Sequence, residues 1–254
     1  MTIAVIIPAR YDSTRFPGKP LVTIAGKPMI EWIVNASTGS KLANKVIVAT
    51  DDKRIFDFVH GAGLDLPSKR VEAIMTLKEH KCGTDRICEV VRQKDEIKYV
   101  VNLQGDEPLM PGEYIDKVLE PLLDPNSAQM SSLVSPITNP EDLNNPNIVK
   151  AVMDKDGYAI YFSRSPIPYD RSSSDIKTNL YFRHIGIYAY TRETIIQFSL
   201  LPQSPLELTE QLEQLRALEN GIKIKLGVVP KAYPAIDKPE DIKTIENILQ
   251  YATT

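Results

Sequence analysis

Residues 4–21 read AVIIPARYDSTRFPGKPL, and the reading of this stretch decides the fold. Ile3 to Ile7 is too short and too uniformly apolar for an amphipathic helix, and its β-branched content favours a strand covered on both faces. The apolar run stops at Pro8 and then releases Arg10, Arg15 and Lys19 into a loop of Ser, Thr, Pro and Gly. In an open parallel α/β sheet, ligands bind where strands exit. Cations set among backbone donors at such an exit suit a polyphosphate.

Outward from this stretch the chain alternates. Met29 to Ala36 carries apolar residues at helical spacing, and Lys45 to Ala49 is a second strand ending in Thr50-Asp51-Asp52. Arg54 to His60 and Thr84 to Arg92 read as helices, and Tyr99 to Leu103 as a strand running into Gln104-Gly105-Asp106-Glu107-Pro108. Pro111 to Leu123 is a helix with proline in its first turn. This rhythm predicts an α/β fold, a mainly parallel sheet with helices on both faces. Right-handed crossovers bring the strand exits to one edge, so Arg10, Thr50 and Asp106 converge.

The second half changes character. Ser131 to Ile137, Ile148 to Met153, Tyr158 to Phe162 and Ile185 to Tyr190 are short β-like stretches, and Pro166 to Asn179 reads as an exposed, mobile loop. Leu206 to Asn220 reads as one helix closed by Gly221. Lys225 to Val229 follows as a strand and Pro239 to Tyr251 as a terminal helix. A single domain, residues 1–254, with an inserted β-rich subregion at about 150–200 fits this pattern.

The 254 residues include 25% charged and 43% hydrophobic side chains and carry a net charge of -3, which argues against a general nucleic-acid binder. No apolar run is long enough to span a membrane, and Pro8 and Arg10 interrupt the first one before it can serve as a leader, so a cytoplasmic protein is expected. Cys82 and Cys88 make no disulfide framework. A metal site at His80 and Cys82 is conceivable, but with three histidines and no CxxC pair it has little support.

Asp106 directly follows a buried strand. Polyphosphates arrive with Mg²⁺, a hard ion held by one or two carboxylates plus phosphate oxygens, and Asp106 is the first candidate ligand. Asp237, before the terminal helix, is either a second ligand or a turn-forming cap. Lys19 lies outside any GxxxxGK[ST] pattern, so P-loop chemistry is unsupported. His184 beside Arg183 has either a structural or a binding role, and no Ser-His-Asp arrangement is apparent.

With these residues in view, the chain resembles the bacterial 3-deoxy-manno-octulosonate (Kdo) cytidylyltransferases. The likeness rests on IPARYDSTRFPGKPL, VATDD, GTDR, NLQGDEP, YFSRSPIP, RHIGIYAY, LEQLRALENG and DKPEDI, spread over nearly the whole chain. It implies a Rossmann-like nucleotide-diphospho-sugar transferase fold whose β-rich region serves dimerisation. It also implies transfer of CMP from CTP to Kdo with release of pyrophosphate, dependence on Mg²⁺, and a cytoplasmic homodimer in lipopolysaccharide synthesis. By the same resemblance Arg10, Arg15 and Lys19 form the phosphate loop and Asp106 and Asp237 hold the metal. Gln104, Arg164, His184 and Glu213 match positions for the sugar acid, while Pro8, Ala9, Gly83, Thr84 and Arg86 match the cytidine side. Cys82 stands where many relatives carry a small polar residue, and Lys238 where a neutral one is common. A cytidylyltransferase for another acid sugar, such as 8-amino-Kdo or a neuraminic acid, and a non-catalytic nucleotide-binding regulator are the alternatives.

Overall fold

A computed structural model describes residues 1–12, 16–61, 71–80, 82–124, 128–171 and 180–252. The chain divides into two compact units, one of Met1–Asp116 with Tyr233–Thr254 and one of Lys117–Ala232.

The first unit is built on four parallel strands. β1 (Thr2–Ala9) lies at the centre with Ala4 to Ile7 fully buried, as expected of a strand covered on both faces. A short hairpin of β2 (Thr23–Ile24) and β3 (Lys27–Pro28) leads into α1 (Met29–Thr38). β4 (Lys45–Thr50) pairs with β1, placing Ala9 opposite Thr50. α2 (Lys53–His60) follows, capped by Asp52, whose side chain accepts the Arg54 amide. β5 (Val71–Met75) pairs with β4, and after α3 (Gly83–Gln93) the strand β6 (Ile97–Asn102) pairs with the other edge of β1. The order is therefore β6-β1-β4-β5, all parallel. Helix α3 packs on β1, β4 and β6, and α2 on β4 and β5. α4 (Gly112–Leu123) begins where Gly112 meets the end of α1. A Cβ on Gly112 would lie 2.4 Å from the Gly39 carbonyl carbon, so only glycine fits.

The second unit is a mixed sheet. β7 (Met130–Pro136) is followed by α5 (Pro140–Asn144) and the antiparallel pair β8 (Lys150–Met153) and β9 (Ala159–Ser163). β10 (Phe182–Thr191) pairs antiparallel with both β7 and β8. Helices α6 (Arg192–Leu200), α7 (Pro205–Glu210) and α8 (Gln214–Glu219) precede β11 (Ile224–Val228), which runs parallel to β7. The chain ends in α9 (Asp241–Ala252).

The mainly parallel α/β architecture is the expected one. The helix expected over Leu206 to Asn220 is instead two, broken at Gln211, which adopts the left-handed conformation at φ 53°. The cause is a buried ion pair. Arg216 on α8 grips Glu207 on α7 through Nε to Oε2 (2.7 Å) and a terminal nitrogen to Oε1 (2.5 Å), and a straight helix would not allow this two-point contact. Strand β5 and helix α6 were not foreseen. Most of the loop expected over Pro166 to Asn179, residues 172–179, lies outside the described residues.

Candidate active site

The loop leaving β1 closes on itself. The Gly18 amide donates to the Tyr11 carbonyl (2.8 Å), and the Tyr11 ring carries the Arg54 guanidinium 3.2 Å from its centroid. Gly18 has φ 71°, a backbone that side-chain-bearing residues adopt at a cost, and a Cβ there would sit 3.1 Å from the Tyr11 hydroxyl. This turn starts the 3-10 helix Lys19–Leu21 and aims Lys19 inward. The Lys19 ammonium ends 3.2 Å from Asp106 Oδ2, with only 13% of the side chain exposed. Arg10 donates to the His80 carbonyl at 2.5 Å. Arg15 lies outside the described residues.

Asp106 is held by backbone on two sides. A Cβ on the preceding Gly105 would lie 2.8 Å from the Pro8 carbonyl oxygen, so the turn after β6 can pass this close to β1 only as glycine. On the other side the Ile236 amide donates to the Asp106 carbonyl (2.9 Å), which brings Asp237 near. Asp241 Oδ2 accepts the amides of Asp237 (2.8 Å) and Lys238 (3.0 Å), which holds the turn ahead of α9. The Asp237 side chain is exposed, and Lys238 is exposed too. Burial pushes the Asp106 carboxyl above the usual range; Lys19 opposes this and repulsion from Asp237 adds to it.

Other expected positions fall around the same strand exits. Ala9 and Thr84 are buried, and a Cβ on Gly83 would press on Pro8 at 3.1 Å. Thr50 is the last residue of β4 and fully buried; its hydroxyl accepts the Asp52 amide. Arg86 is fully buried as well. Its guanidinium binds Asp51 (2.8 Å) and the Thr76 hydroxyl, tying the ends of β4 and β5 to α3. The Gln104 amide donates to Asn102 Oδ1 (3.1 Å). Cys82 caps α3, its sulfur accepting the Asp85 amide at 3.5 Å, so the thiol supplies the bond a small polar residue would make there.

The second unit holds the remaining three. The Arg164 guanidinium donates to the carbonyls of Glu210 (2.7 Å), Pro146 (2.9 Å) and Gln211 (3.4 Å), and so secures the break between α7 and α8. Glu213, partly buried, precedes α8, its carbonyl accepting the Arg216 amide. Burial holds His184 neutral by lowering its pKa to about 3. The Ser132 hydroxyl, 2.8 Å from the Ile187 carbonyl, has its single proton committed there. His184 Nε2, 2.9 Å from the same hydroxyl oxygen, must then donate to it, leaving Nδ1 as an acceptor. Sequence reading missed Lys150, fully buried and donating to the carbonyls of Asn145 (3.1 Å) and Arg164 (2.5 Å). Its signal was a lysine inside the otherwise apolar run Ile148 to Met153.

The family model described as cytidylyltransferase matches residues 4–224. The chain belongs to the cytidylyltransferase family. Among curated relatives, the 3-deoxy-manno-octulosonate cytidylyltransferase of Thermodesulfovibrio yellowstonii is 46% identical over 98% of both chains. That of Pseudoalteromonas atlantica is 47% identical, covering 96% of this chain and 97% of its own. A solved CMP:2-keto-3-deoxy-manno-octonic acid synthetase in complex with CTP superposes with a TM-score of 0.90 at 36% identity, covering 99% of this chain and 100% of its own. A 4-diphosphocytidyl-2C-methyl-D-erythritol synthase from Anaerococcus prevotii, 14% identical with a TM-score of 0.64 over 98% of this chain and 96% of its own, shares the fold.

The donor set of this cytidylyltransferase fits a hard divalent cation. Asp106 and Asp237 repel each other, and the Lys19 ammonium pairs with Asp106. Among the described residues no cluster of three His, Cys, Asp or Glu side chains is suited to a metal. Two carboxylates with the rest of the shell left to water and phosphate is how Mg²⁺ is usually held beside a nucleotide.

Proposed function

We propose that this cytidylyltransferase moves CMP from CTP to the anomeric hydroxyl of Kdo, releasing pyrophosphate, for lipopolysaccharide synthesis. The observation that carries the reading is the meeting of Lys19, Asp106 and Asp237 at the exit of β1, in a chain 46% identical to a Kdo cytidylyltransferase. The hydroxyl oxygen bonds to the α-phosphorus as the bond to the departing pyrophosphate breaks. Arg10, Arg15 and Lys19 bind the triphosphate, and Lys19 neutralises charge that builds on the leaving group. Asp106 and Asp237 would hold Mg²⁺, which when bound polarises phosphate oxygen and lowers the pKa of a coordinated hydroxyl. Lys19 must release Asp106 for the phosphates, so its present ion pair keeps the ammonium poised between both partners.

Pro8, Ala9, Gly83 and Thr84 form the nucleoside side, where a Cβ on Gly83 would press on Pro8 at 3.1 Å. In this scheme Arg86 stiffens that wall from beneath, since its side chain is fully buried and engaged. On the sugar side, His184 offers a neutral Nδ1 acceptor to a hydroxyl, and Gln104, Arg164 and Glu213 complete the set. Three of the Arg164 N–H groups are committed to carbonyls, which leaves two to donate to a carboxylate. We propose further that the protein is cytoplasmic, that residues 1–254 act as one catalytic domain, and that the β-rich region at about 150–200 supports a homodimer.

Pyrophosphate release measured with CTP, Mg²⁺ and a panel of acid sugars tests the reading. Release with Kdo is expected, and D106N and D237N should each abolish it. Turnover of 8-amino-Kdo or a neuraminic acid in preference to Kdo would redirect the assignment, and near-normal Mg²⁺-dependent release by D106N would end the metal role.

A further inference from the structure

The His80 ring donates from Nε2 to Glu89 Oε2 at 2.5 Å, and the same carboxylate oxygen accepts the Leu77 amide at 3.0 Å. Its other oxygen accepts the Gln93 side chain at 3.1 Å. Burial alone would push the Glu89 carboxyl up, but the bonds from His80 and Leu77 outweigh it and hold the group below the usual range, ionised and accepting only. One residue on α3 thus fastens both ends of the segment from Leu77 to His80. The carbonyl of His80 is in turn the acceptor for the Arg10 guanidinium.

We propose that Glu89 and His80 are positioning residues that set Arg10 for the triphosphate, an inference that rests on the reading of Arg10 as a phosphate contact. The chain of contacts is Glu89 to His80 ring, His80 carbonyl to Arg10. Arginine loses rotamer freedom when it grips a ligand, and a carbonyl that fixes the guanidinium beforehand lowers that cost. A fixed carbonyl needs a fixed segment, and Glu89 clasps this one at both ends. Glu89 also feels the Arg86 charge, and the proposed route from the pair to the triphosphate is the one through Arg10. Of the two residues that suggested a metal, the His80 imidazole is engaged by a carboxylate and the Cys82 thiol caps a helix.

The test compares E89A, E89Q, H80A, R10A and the double variant E89A/R10A in the full-length protein. For each, kcat and KM for CTP are measured by pyrophosphate release, and cytidine binding by calorimetry. E89A and H80A should each raise KM for CTP about tenfold, the scale of losing one charge-assisted bond, with kcat and cytidine affinity little changed. E89Q should be close to the parent. Its amide oxygen still accepts from His80 and Leu77, and the Gln93 amide can turn to accept from its NH₂. Adding E89A to R10A should cost nothing more, because a residue that works through Arg10 has no effect without it. An unchanged KM in both E89A and H80A, a fall in kcat alone, an E89Q as impaired as E89A, or full additivity in the double variant would each overturn the proposal. If E89A does not fold, H80A and H80A/R10A carry the same comparison. An R10A enzyme with normal KM would instead remove the reading of Arg10, a result distinct from a normal KM in E89A and H80A when R10A is impaired.

Discussion

Asp106 is placed at a cost to the fold. Its carboxyl is raised above the ordinary value mainly by burial, so the folded chain holds that proton more tightly than the unfolded chain does. The destabilisation is absent below the unfolded pKa and fully present above the folded one. In metal-free protein near neutral pH, D106N should therefore raise Tm while removing activity, and calorimetry that shows an unchanged or lower Tm would contradict this. Lys19 acts on the same group with the opposite sign. In K19A the Asp106 carboxyl should rise further, so the acid limb of the kcat/KM profile should move to higher pH, beside a loss of rate from the missing charge on the leaving group. An acid limb left in place would show that Lys19 does not govern Asp106. Gly105 is the third residue on which the site depends. G105A puts a Cβ where the Pro8 carbonyl lies 2.8 Å away and should reduce kcat/KM by at least tenfold, the scale of a small misplacement of catalytic groups. These single residues differ in how far they could be read beforehand. Lys19 and Asp106 were legible as candidates because each lies in a polar loop that follows a buried strand. The backbone bond from Ile236 to Asp106, which brings Asp237 near, joins residues 130 positions apart and leaves no local trace.

Elements show the same division. β1 and β4 were legible because each carries an unbroken apolar run, Ile3 to Ile7 and Val46 to Ala49. β5 was not, because Glu72 interrupts it and is accommodated by Lys45 (3.0 Å) and Lys94 (3.1 Å). The break between α7 and α8 also escaped, since Gln211 is no helix breaker and the pair of Glu207 with Arg216 imposes it. R216A would leave a buried carboxylate unpaired and should cost about 3–5 kcal/mol, read as a lower urea midpoint. Q211G should do the reverse. It relieves a side chain held at φ 53° and should gain up to about 1 kcal/mol. A loss on Q211G would mean that the Gln211 side chain contributes more than its strained backbone costs.

At the scale of the whole molecule, the expectation is linkage between ligand and stability. CTP together with Mg²⁺ should stabilise the protein by about 2.7 kcal/mol at a concentration one hundred times Kd, seen as a rise in Tm. Either component alone should do much less, if the carboxylates and the phosphate loop bind one metal–nucleotide unit. An equal shift with CTP in the presence of a chelator would separate nucleotide binding from the carboxylates. By itself the sequence determined the alternation of strand and helix, the parallel sheet and the cationic loop at its first exit. Apolar periodicity and local punctuation are written into consecutive residues, and burial on two faces demands them. The tertiary structure alone decided which polar groups meet: Lys19 with Asp106, Arg86 with Asp51, Glu89 with His80 and through it Arg10. Those contacts join distant segments, and their geometry is fixed by packing and by the need of each buried polar group for a partner.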